Sequence, residues 1–451
     1  MLQDRNYDRD RVGLIDTGVY KKEFLSNGIP IITETTEGMR SVCIGIWINV
    51  GSRHESSDKN GISHFLEHMF FKGTKKRTAR DIAVEIDSIG GELNAFTSRE
   101  GTTFYVKILD EHIEKGIELL TDVFLHSTFP EEDIEKERRI IKEEIKMVED
   151  TPHDYIHDLF SQTVWGEEGL GQPVLGRRET IKTFTREDLV RHIRKYYGTM
   201  DTIVACAGNF EQDTLIHSLE HKLGSLRRAS EPERGPAPKF MSKVNIIPKD
   251  LSEVHICLGL EGLPQGSEER YSMYLLNTIL GAGVSSRLFQ EIREKRGLAY
   301  SIYSFISSYY DTGLWAVYAG TGRKRAREVI NLISDELRGL SNTITSDELQ
   351  RAKDQLKGNL ILALESTSSR MTNIARQEIY YRRYFSPDEI MKAVDAVTLE
   401  KIKELSDRLL NKNPLTSSGQ ATSSGQVSYD SQRIPFALVV YGPVKETVYD
   451  L

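Results

Sequence analysis

The sequence predicts an α+β protein of two homologous domains, each a mainly antiparallel β-sheet packed with helices. Three observations support this class. The chain has 451 residues, too many for a single hydrophobic core. A polar stretch divides it into nearly equal halves, and the two halves share an order of strands and helices. Within each half several strand-like segments follow one another directly, which favours antiparallel pairing over βαβ alternation.

The polar stretch lies at residues 226–240, where Pro, Arg and Glu predominate and apolar residues are almost absent. This composition is typical of a linker between domains. We therefore predict an N-terminal domain at residues 1–225 and a C-terminal domain at 241–451. A second biased segment, 416–432, repeats Ser-Ser-Gly-Gln twice and is predicted to be a flexible surface loop without a chemical role.

The elements of the two halves correspond at offsets of roughly 211 to 234 residues. Five segments of the first half have counterparts in the second half. The pairs are 41–46 with 254–260, 62–71 with 285–296, 102–108 with 313–319, 129–134 with 344–349, and 203–208 with 438–442. No single pair is persuasive, but the preserved order indicates a tandem duplication.

Composition excludes some classes of protein. The formal net charge of −8 argues against a nucleic-acid binder with a basic face, although it is compatible with basic peptide ligands. The N-terminal residues Met1–Arg11 alternate in charge, unlike a signal or transit peptide, and no apolar run reaches the ~20 residues of a membrane span. Three scattered cysteines do not form a disulfide framework and fit a cytoplasmic protein: Cys43, Cys206 and Cys257.

The sharpest functional signal is the segment Gly61–Phe71, which contains His64, Glu67 and His68. The apolar residues of this segment have the spacing of an amphipathic helix: Ile62, Phe65, Leu66, Met69 and Phe70. On such a helix the two histidines are one turn apart and can reach one metal ion. Glu67 lies beside them and can accept a proton from a water molecule. His-x-x-Glu-His is the inverted zinc-peptidase motif.

The same residues have a simpler interpretation, an amphipathic helix whose histidines are hydrogen-bonded and bind no metal. His153 and His157 have the same spacing, but no carboxylate occupies the intervening helical position, so we predict no metal there.

A third metal ligand is predicted from the helix at 131–150. An apolar arc on its helical wheel includes Glu137 and Glu144 together with these residues: Ile134, Ile140, Ile141, Ile145, Met147 and Val148. Two carboxylates facing a core are costly unless their charge is compensated. A metal held by two neutral imidazoles would compensate it, which makes Glu144 the third ligand and Glu137 a supporting group or auxiliary acid. The alternative is that both carboxylates pair with buried Arg or Lys.

With these features the sequence resembles the pitrilysin/insulinase family of zinc peptidases, in the branch of mitochondrial processing peptidase and its bacterial homologues. In that family a glutamate follows the motif by about 76 residues, and here 144 − 68 = 76. A second glutamate precedes the ligand by seven positions, and here 144 − 137 = 7. The resemblance covers nearly the whole chain, with further matching stretches at 51–55, 90–97 and 286–300.

The resemblance implies one zinc ion bound by His64, His68 and Glu144, with Glu67 as the general base. The second half is predicted to bind no metal, because segment 285–291, which is expected to correspond to the motif helix, contains no histidine. The two halves then face each other across a cleft that contains a single site.

Substrate contacts are implied in both halves. An edge strand would take the peptide backbone as an additional strand through three residues: Asn94, Ala95 and Phe96. Taken alone, Asn94 is also compatible with a turn. Arg293 and Tyr300 of the second half would steady the oxyanion of a tetrahedral intermediate. Without the resemblance they would be interpreted as a solvated helix residue and a core tyrosine.

The predicted function is therefore that of a zinc metalloendopeptidase acting on extended peptides or unstructured polypeptide segments. The resemblance further implies a homodimer, or a heterodimer with a related metal-free subunit. One alternative is a non-catalytic peptide-binding or scaffold subunit of the same fold. Such subunits usually lack one or more of the five motif positions, which this chain keeps. Another is a metal-dependent hydrolase of non-peptide substrates.

Overall fold

The computed structural model describes residues 18–230, 235–411 and 436–444. The strands are β1 (Val19–Phe24), β2 (Pro30–Thr35), β3 (Ser41–Ile48), β4 (Glu92–Thr97), β5 (Thr102–Leu109), β6 (Thr202–Gly208), β7 (Val244–Pro248), β8 (Val254–Glu261), β9 (Ala299–Ser308), β10 (Gly313–Thr321) and β11 (Ala437–Gly442). The predicted loop at 416–432 lies outside the described residues.

The α-helices in these ranges are α1 (Ile62–Phe70), α2 (Ala79–Ser88), α3 (Ile113–His126), α4 (Glu131–Glu149), α5 (Pro152–Trp165), α6 (Arg178–Ile181), α7 (Arg186–Tyr196), α8 (Gln212–Leu223), α9 (Arg270–Leu280), α10 (Ala326–Thr343), α11 (Ser346–Ala363), α12 (Thr367–Tyr381), α13 (Pro387–Asp395) and α14 (Leu399–Asn411). A π-helical turn occupies Phe289–Glu294. None of the described helices combines the length and apolar character needed to cross a bilayer.

The strands form two sheets with one topology. The first has the order β1-β2-β6-β3-β5-β4 and the second the order β7-β11-β8-β10-β9. In each sheet one pair is parallel, β2 with β6 and β7 with β11, and the other pairs are antiparallel. Apart from β1, every strand of the first sheet has a counterpart in the same place of the second. This shared order confirms the predicted α+β class with two homologous domains.

One predicted correspondence between the halves is wrong. Helix α1 follows the central strand β3, and the helix that follows the equivalent strand β8 is α9, not the segment 285–296. That segment forms the π-helical turn directly before β9, which is the place of α2 in the first half. Apolar spacing alone could not distinguish the two, because both segments are amphipathic. The sequence of α9 also contains no histidine.

Each half contributes one helix to the sheet of the other. Helix α5 of the first half packs on the second sheet, and α12 of the second half packs on the first. The apolar side chains buried there include Ile156, Phe160 and Val164 of α5 and Met371, Ile374 and Ala375 of α12. Burial of each large apolar side chain is worth about 1.5–3 kcal/mol. The exchange therefore makes the two halves one packed unit.

Polar contacts reinforce this junction. The guanidinium of Arg53 lies 2.6 Å from a carboxylate oxygen of Glu100 and 2.5 Å from one of Asp311 in the second half. The hydroxyl of Tyr380 also donates to Glu100, at 3.1 Å.

The strands of the two sheets lie on opposite sides of 226–240, whereas α5 and α12 cross between the halves. The domain boundaries themselves stay a prediction.

Candidate metal centre

Helix α1 is fixed at its start by a turn that requires glycine. Gly61 has φ 95°, and a Cβ there would lie 2.6 Å from the Cα of Gly176. The buried carboxylate of Glu55 accepts hydrogen bonds from the backbone N–H groups of Gly61 (2.7 Å) and Ser63 (2.8 Å). Glu55 thereby satisfies N–H groups that have no partner within the helix.

One face of α1 is fixed by packing. All five apolar residues predicted from the spacing are buried: Ile62, Phe65, Leu66, Met69 and Phe70. This confirms the amphipathic helix. The imidazoles of His64 and His68 lie one turn apart with ring centroids separated by 4.8 Å, and both face α4.

Helix α4 supplies the carboxylates, although its predicted apolar arc is partly wrong. Ile140 and Met147 are 45% and 64% exposed. At 100° per residue they lie roughly 100° or more from Ile141, outside the buried arc. Glu137 is only 3% exposed, as the prediction that it faces the core requires. The side chain of Glu144 is 33% exposed, at the edge of the arc.

The ligand atoms of His64, His68 and Glu144 all lie within 4.8 Å of one another. Oε2 of Glu144 is 3.4 Å from Nε2 of His68 and 3.8 Å from Nε2 of His64. Two ligand atoms that each lie ~2.1 Å from zinc in a tetrahedral site are about 3.4 Å from each other. The observed separations of 3.4 and 3.8 Å are therefore close to those of such a site. Among the described ranges this is the only group of three such side chains found so close together.

The electrostatics favour the metal-binding forms of His64 and Glu144, whereas His68 is shifted toward its protonated form. Burial, followed by the charge of His68, lowers the pKa of His64 to about 4, so its imidazole is neutral near pH 7. Hydrogen bonding to His68 lowers the pKa of Glu144, which therefore stays ionised. Burial also acts to lower the pKa of His68, but the carboxylates of Glu144 and Glu137 outweigh it and raise that pKa. Two imidazoles and a carboxylate leaving a fourth position free are the donor set of catalytic zinc sites.

Glu137 lies behind the ring of His68. One carboxylate oxygen is 3.0 Å from Nδ1 of His68, and the other is 2.7 Å from Nζ of Lys72. When Nδ1 donates to this carboxylate, Nε2 carries the lone pair that a metal needs. Glu137 thus has a basic partner, as the alternative interpretation required, and contacts the histidine as well. Sequence reasoning missed Lys72, whose signal was its position one turn after His68.

Glu67 lies beside the cluster with one oxygen free. Its Oε2 atom is buried and has no hydrogen-bond partner among the described residues. Burial raises the pKa of Glu67, while Thr97 at the end of β4 and His68 oppose this shift. A carboxyl whose pKa is raised towards neutrality can both accept and return a proton.

The residues predicted to bind substrate lie on β4, which is the edge of the first sheet. Among the described strands β4 pairs with β5 alone, so in this part of the chain its outer edge is open to another strand. The three residues are Asn94, Ala95 and Phe96. Asn94 lies inside the strand, which makes its interpretation as a turn residue wrong. Their role in binding stays a prediction.

Arg293 and Tyr300 lie beside each other in the second half. The guanidinium carbon of Arg293 is 5.6 Å from the centroid of the Tyr300 ring and 4.7 Å from that of Phe289. Tyr300 is the second residue of β9, at an edge of the described second sheet, and is 79% exposed, so it is not a core tyrosine. No hydrogen bond or ion pair within the described ranges joins either residue to the histidine pair. Their predicted contact with substrate stays a prediction.

Together, the fold and this donor set define a two-domain α+β protein with a candidate three-ligand metal site of the catalytic type. Residues 30–178 match the model of the insulinase family, peptidase family M16, and residues 183–356 match that of the peptidase M16 inactive domain. The chain therefore belongs to the insulinase family, as its sequence motifs indicated.

Individual relatives agree with this assignment. The chain is 42% identical over 394 residues to the uncharacterized zinc protease YmxG of Bacillus subtilis, covering 87% of this chain and 96% of that protein. It is 39% identical over 406 residues to an uncharacterized zinc protease of Streptomyces coelicolor, covering 88% of each. Among solved structures it is similar in fold to a protease from Helicobacter pylori, with a TM-score of 0.82 and 21% identity over 94% of this chain and 99% of that one.

Proposed function

We propose that this protein is a zinc-dependent metalloendopeptidase that hydrolyses extended peptides or unstructured polypeptide segments. The observation that supports it most is the convergence of His64, His68 and Glu144 beside Glu67, whose buried oxygen has no hydrogen-bond partner among the described residues. The relatives in Bacillus subtilis and Streptomyces coelicolor are named as zinc proteases, which agrees with this activity.

In this proposal His64, His68 and Glu144 hold the metal. Bound zinc supplies Lewis acidity, which lowers the pKa of water and polarises a peptide carbonyl. Glu67 accepts the proton of the attacking water and returns it to the amine that leaves. The open edge of β4 aligns the substrate backbone as an additional strand, which favours an extended peptide over a compact small molecule. Arg293 and Tyr300 donate to the developing oxyanion.

The test compares zinc content and peptide cleavage in the wild type and in Glu67→Gln. The amide has nearly the shape of the carboxylate but cannot accept the proton. We expect about one zinc per chain in both proteins and cleavage of a quenched peptide library in the wild type alone. Equal cleavage by the variant would contradict the role of Glu67 as the group that accepts the proton of the attacking water. Absence of zinc from both would favour the scaffold alternative.

We also propose that the chain pairs with a second copy or with a related metal-free subunit. This follows from the resemblance of the sequence to two-domain chains that pair. Sedimentation equilibrium of the purified chain tests the homodimer, since a monomer mass at micromolar concentration would contradict it.

A further inference from the structure

A cavity of about 520 Å³ lies in the second half, enclosed by α9, α11, α12 and α13. Its lining residues fall between positions 265 and 394 and include none of the residues of the candidate metal centre. Much of the wall is apolar or aromatic, as in Tyr274, Leu360, Ile390 and Val394. The volume is in the range of small-molecule sites, roughly 300–1,000 Å³.

The charge of this cavity is unusual for a chain with a net charge of −8. Its lining contains three cationic side chains, Arg270, Lys357 and Arg376, and no Asp or Glu. Lys357 is paired with Asp395 at 2.8 Å. Neither arginine forms an ion pair with a carboxylate of the described residues. The cavity therefore carries uncompensated positive charge.

The guanidinium of Arg270 is held in place by aromatic rings. It lies 4.5 Å from the ring centroid of Tyr271 and 4.8 Å from those of Tyr381 and Phe385. Within the part of the chain that the structure describes, its side-chain hydrogen bonds go to neutral acceptors, the carbonyl of Ser267 at 3.2 Å and the hydroxyl of Tyr271 at 3.3 Å. A guanidinium held in this way loses little side-chain entropy when it binds an anion.

The second arginine acts on the same region of the cavity. Arg376, Arg270 and Tyr274 all line the cavity; burial raises the pKa of Tyr274, and the charges of both arginines oppose that shift. The backbone N–H of Phe385 donates to the side-chain oxygen of Gln377 at 2.6 Å, which fixes part of the cavity wall. The hydroxyl of Tyr381 donates to the carbonyl of Gln265 at 2.8 Å. These bonds form the cavity before any ligand arrives.

We propose that this cavity binds a small anionic molecule in which a carboxylate or phosphate is attached to an apolar or aromatic body. Arg270 and Arg376 bind the anionic group, because the planar guanidinium matches both carboxylate and phosphate. The aromatic and aliphatic wall takes the body. Helix α12 lines the cavity and also packs on the first sheet. The site is separate from the proposed peptidase chemistry and does not depend on it.

Calorimetric titration of the full chain with four probes tests the proposal. Two are anions with an aromatic body, 3-phenylpropanoate and phenyl phosphate. The third, 3-phenylpropanamide, keeps the shape without the charge, and the fourth, inorganic phosphate, keeps the charge without the body. We expect at least one aromatic anion to bind about tenfold or more tightly than both controls, because a hydrogen bond to a charged group is worth ~1.5–3 kcal/mol. Whichever aromatic anion binds more tightly identifies the anionic group.

Variants locate the binding. The double substitution Arg270→Gln and Arg376→Gln is expected to lower the affinity for the aromatic anion about tenfold or more. Arg351 is an exposed arginine of α11 outside the cavity, and the control Arg351→Gln is expected to leave this affinity unchanged. Thr372→Trp places a large side chain in the cavity and is expected to abolish binding without removing charge. This variant tests the proposal even if the double arginine variant does not fold. Equal binding of the amide or of inorganic phosphate, no binding of either aromatic anion, or undiminished binding by these variants would overturn the proposal.

Discussion

Nζ of Lys72 lies 2.7 Å from one carboxylate oxygen of Glu137, and the other oxygen lies 3.0 Å from Nδ1 of His68. The three side chains form a row that ends at the candidate metal site, so the orientation of His68, one of the proposed ligands, is set by two residues outside the proposed ligand set. Groups in this position commonly contribute 10–100-fold to metal affinity.

We therefore expect Glu137→Gln to lower zinc affinity by about 10–100-fold, and Lys72→Met to lower it by less. The amide can still accept from Nδ1, but it loses the charge that strengthens the bond. The measurement is zinc retained during dialysis against a graded series of chelators. Lys76→Met, an exposed lysine on the same segment, is the control and should retain zinc as the wild type does. Identical retention in all four proteins would contradict this role.

Gly61→Ala is expected to destabilise the protein by several kcal/mol, because its φ of 95° disfavours a side chain and the added Cβ would meet the Cα of Gly176. Gly90 has φ 60° with open space around it, so Gly90→Ala isolates the conformational cost, about 1 kcal/mol. Thermal unfolding midpoints of the three proteins make the comparison. A larger decrease for Gly90→Ala than for Gly61→Ala would show that the contact with Gly176 is unimportant.

Phe160→Ala is expected to loosen the second sheet although Phe160 belongs to the first half. The ring is 1% exposed, and removal of a buried phenylalanine typically costs about 3–5 kcal/mol. Hydrogen exchange of the amides in β8 and β10 should become faster. Leu362→Ala, at a position 71% exposed, provides the control and should leave these amides unchanged. Faster exchange confined to the first sheet would contradict the described packing of α5.

Buried His192 is expected to make stability depend on pH. Burial lowers the pKa of His192 from 6.5 to about 3, with the charges of Lys195 and His54 adding to the shift. The unfolded chain therefore binds this proton more readily than the folded one, so stability falls as pH decreases from about 6.5 to about 3. In His192→Gln the decrease between pH 6.5 and 5 should be smaller. His217, an exposed histidine, supplies the control His217→Gln, whose pH profile should match the wild type. An unchanged slope in His192→Gln would contradict the assignment.

The parts of the site that could be predicted from sequence are those set by local spacing. The five apolar residues of α1 define a single helical face, so the position of both histidines follows from them. The same logic failed for Ile140 and Met147, which lie off the buried arc of α4. Both lie roughly 100° or more from Ile141 on the helical wheel, so the predicted apolar arc was too wide.

The exchanged helices could not be predicted, because an amphipathic pattern shows that a face is buried but not by which sheet. Lys72 was missed for a related reason. An exposed-looking lysine acquires its role only when α4 places Glu137 opposite it. The substrate contacts of Arg293 and Tyr300 were predicted from resemblance alone. The position of these residues relative to the histidines depends on how the two halves pack, which local spacing does not show.

The position of α12 in the chain has a consequence for biosynthesis. The first sheet is complete at Gly208, but the helix that covers its outer face begins only at Thr367. At a synthesis rate of ~5–20 residues per second, a ribosome needs roughly 10–30 s to make the intervening segment. During that interval the apolar surface of Ile32, Cys43 and Ala205 has no cover from α12. A nascent chain of this protein therefore keeps this apolar surface uncovered by α12 until its last fifth is synthesised.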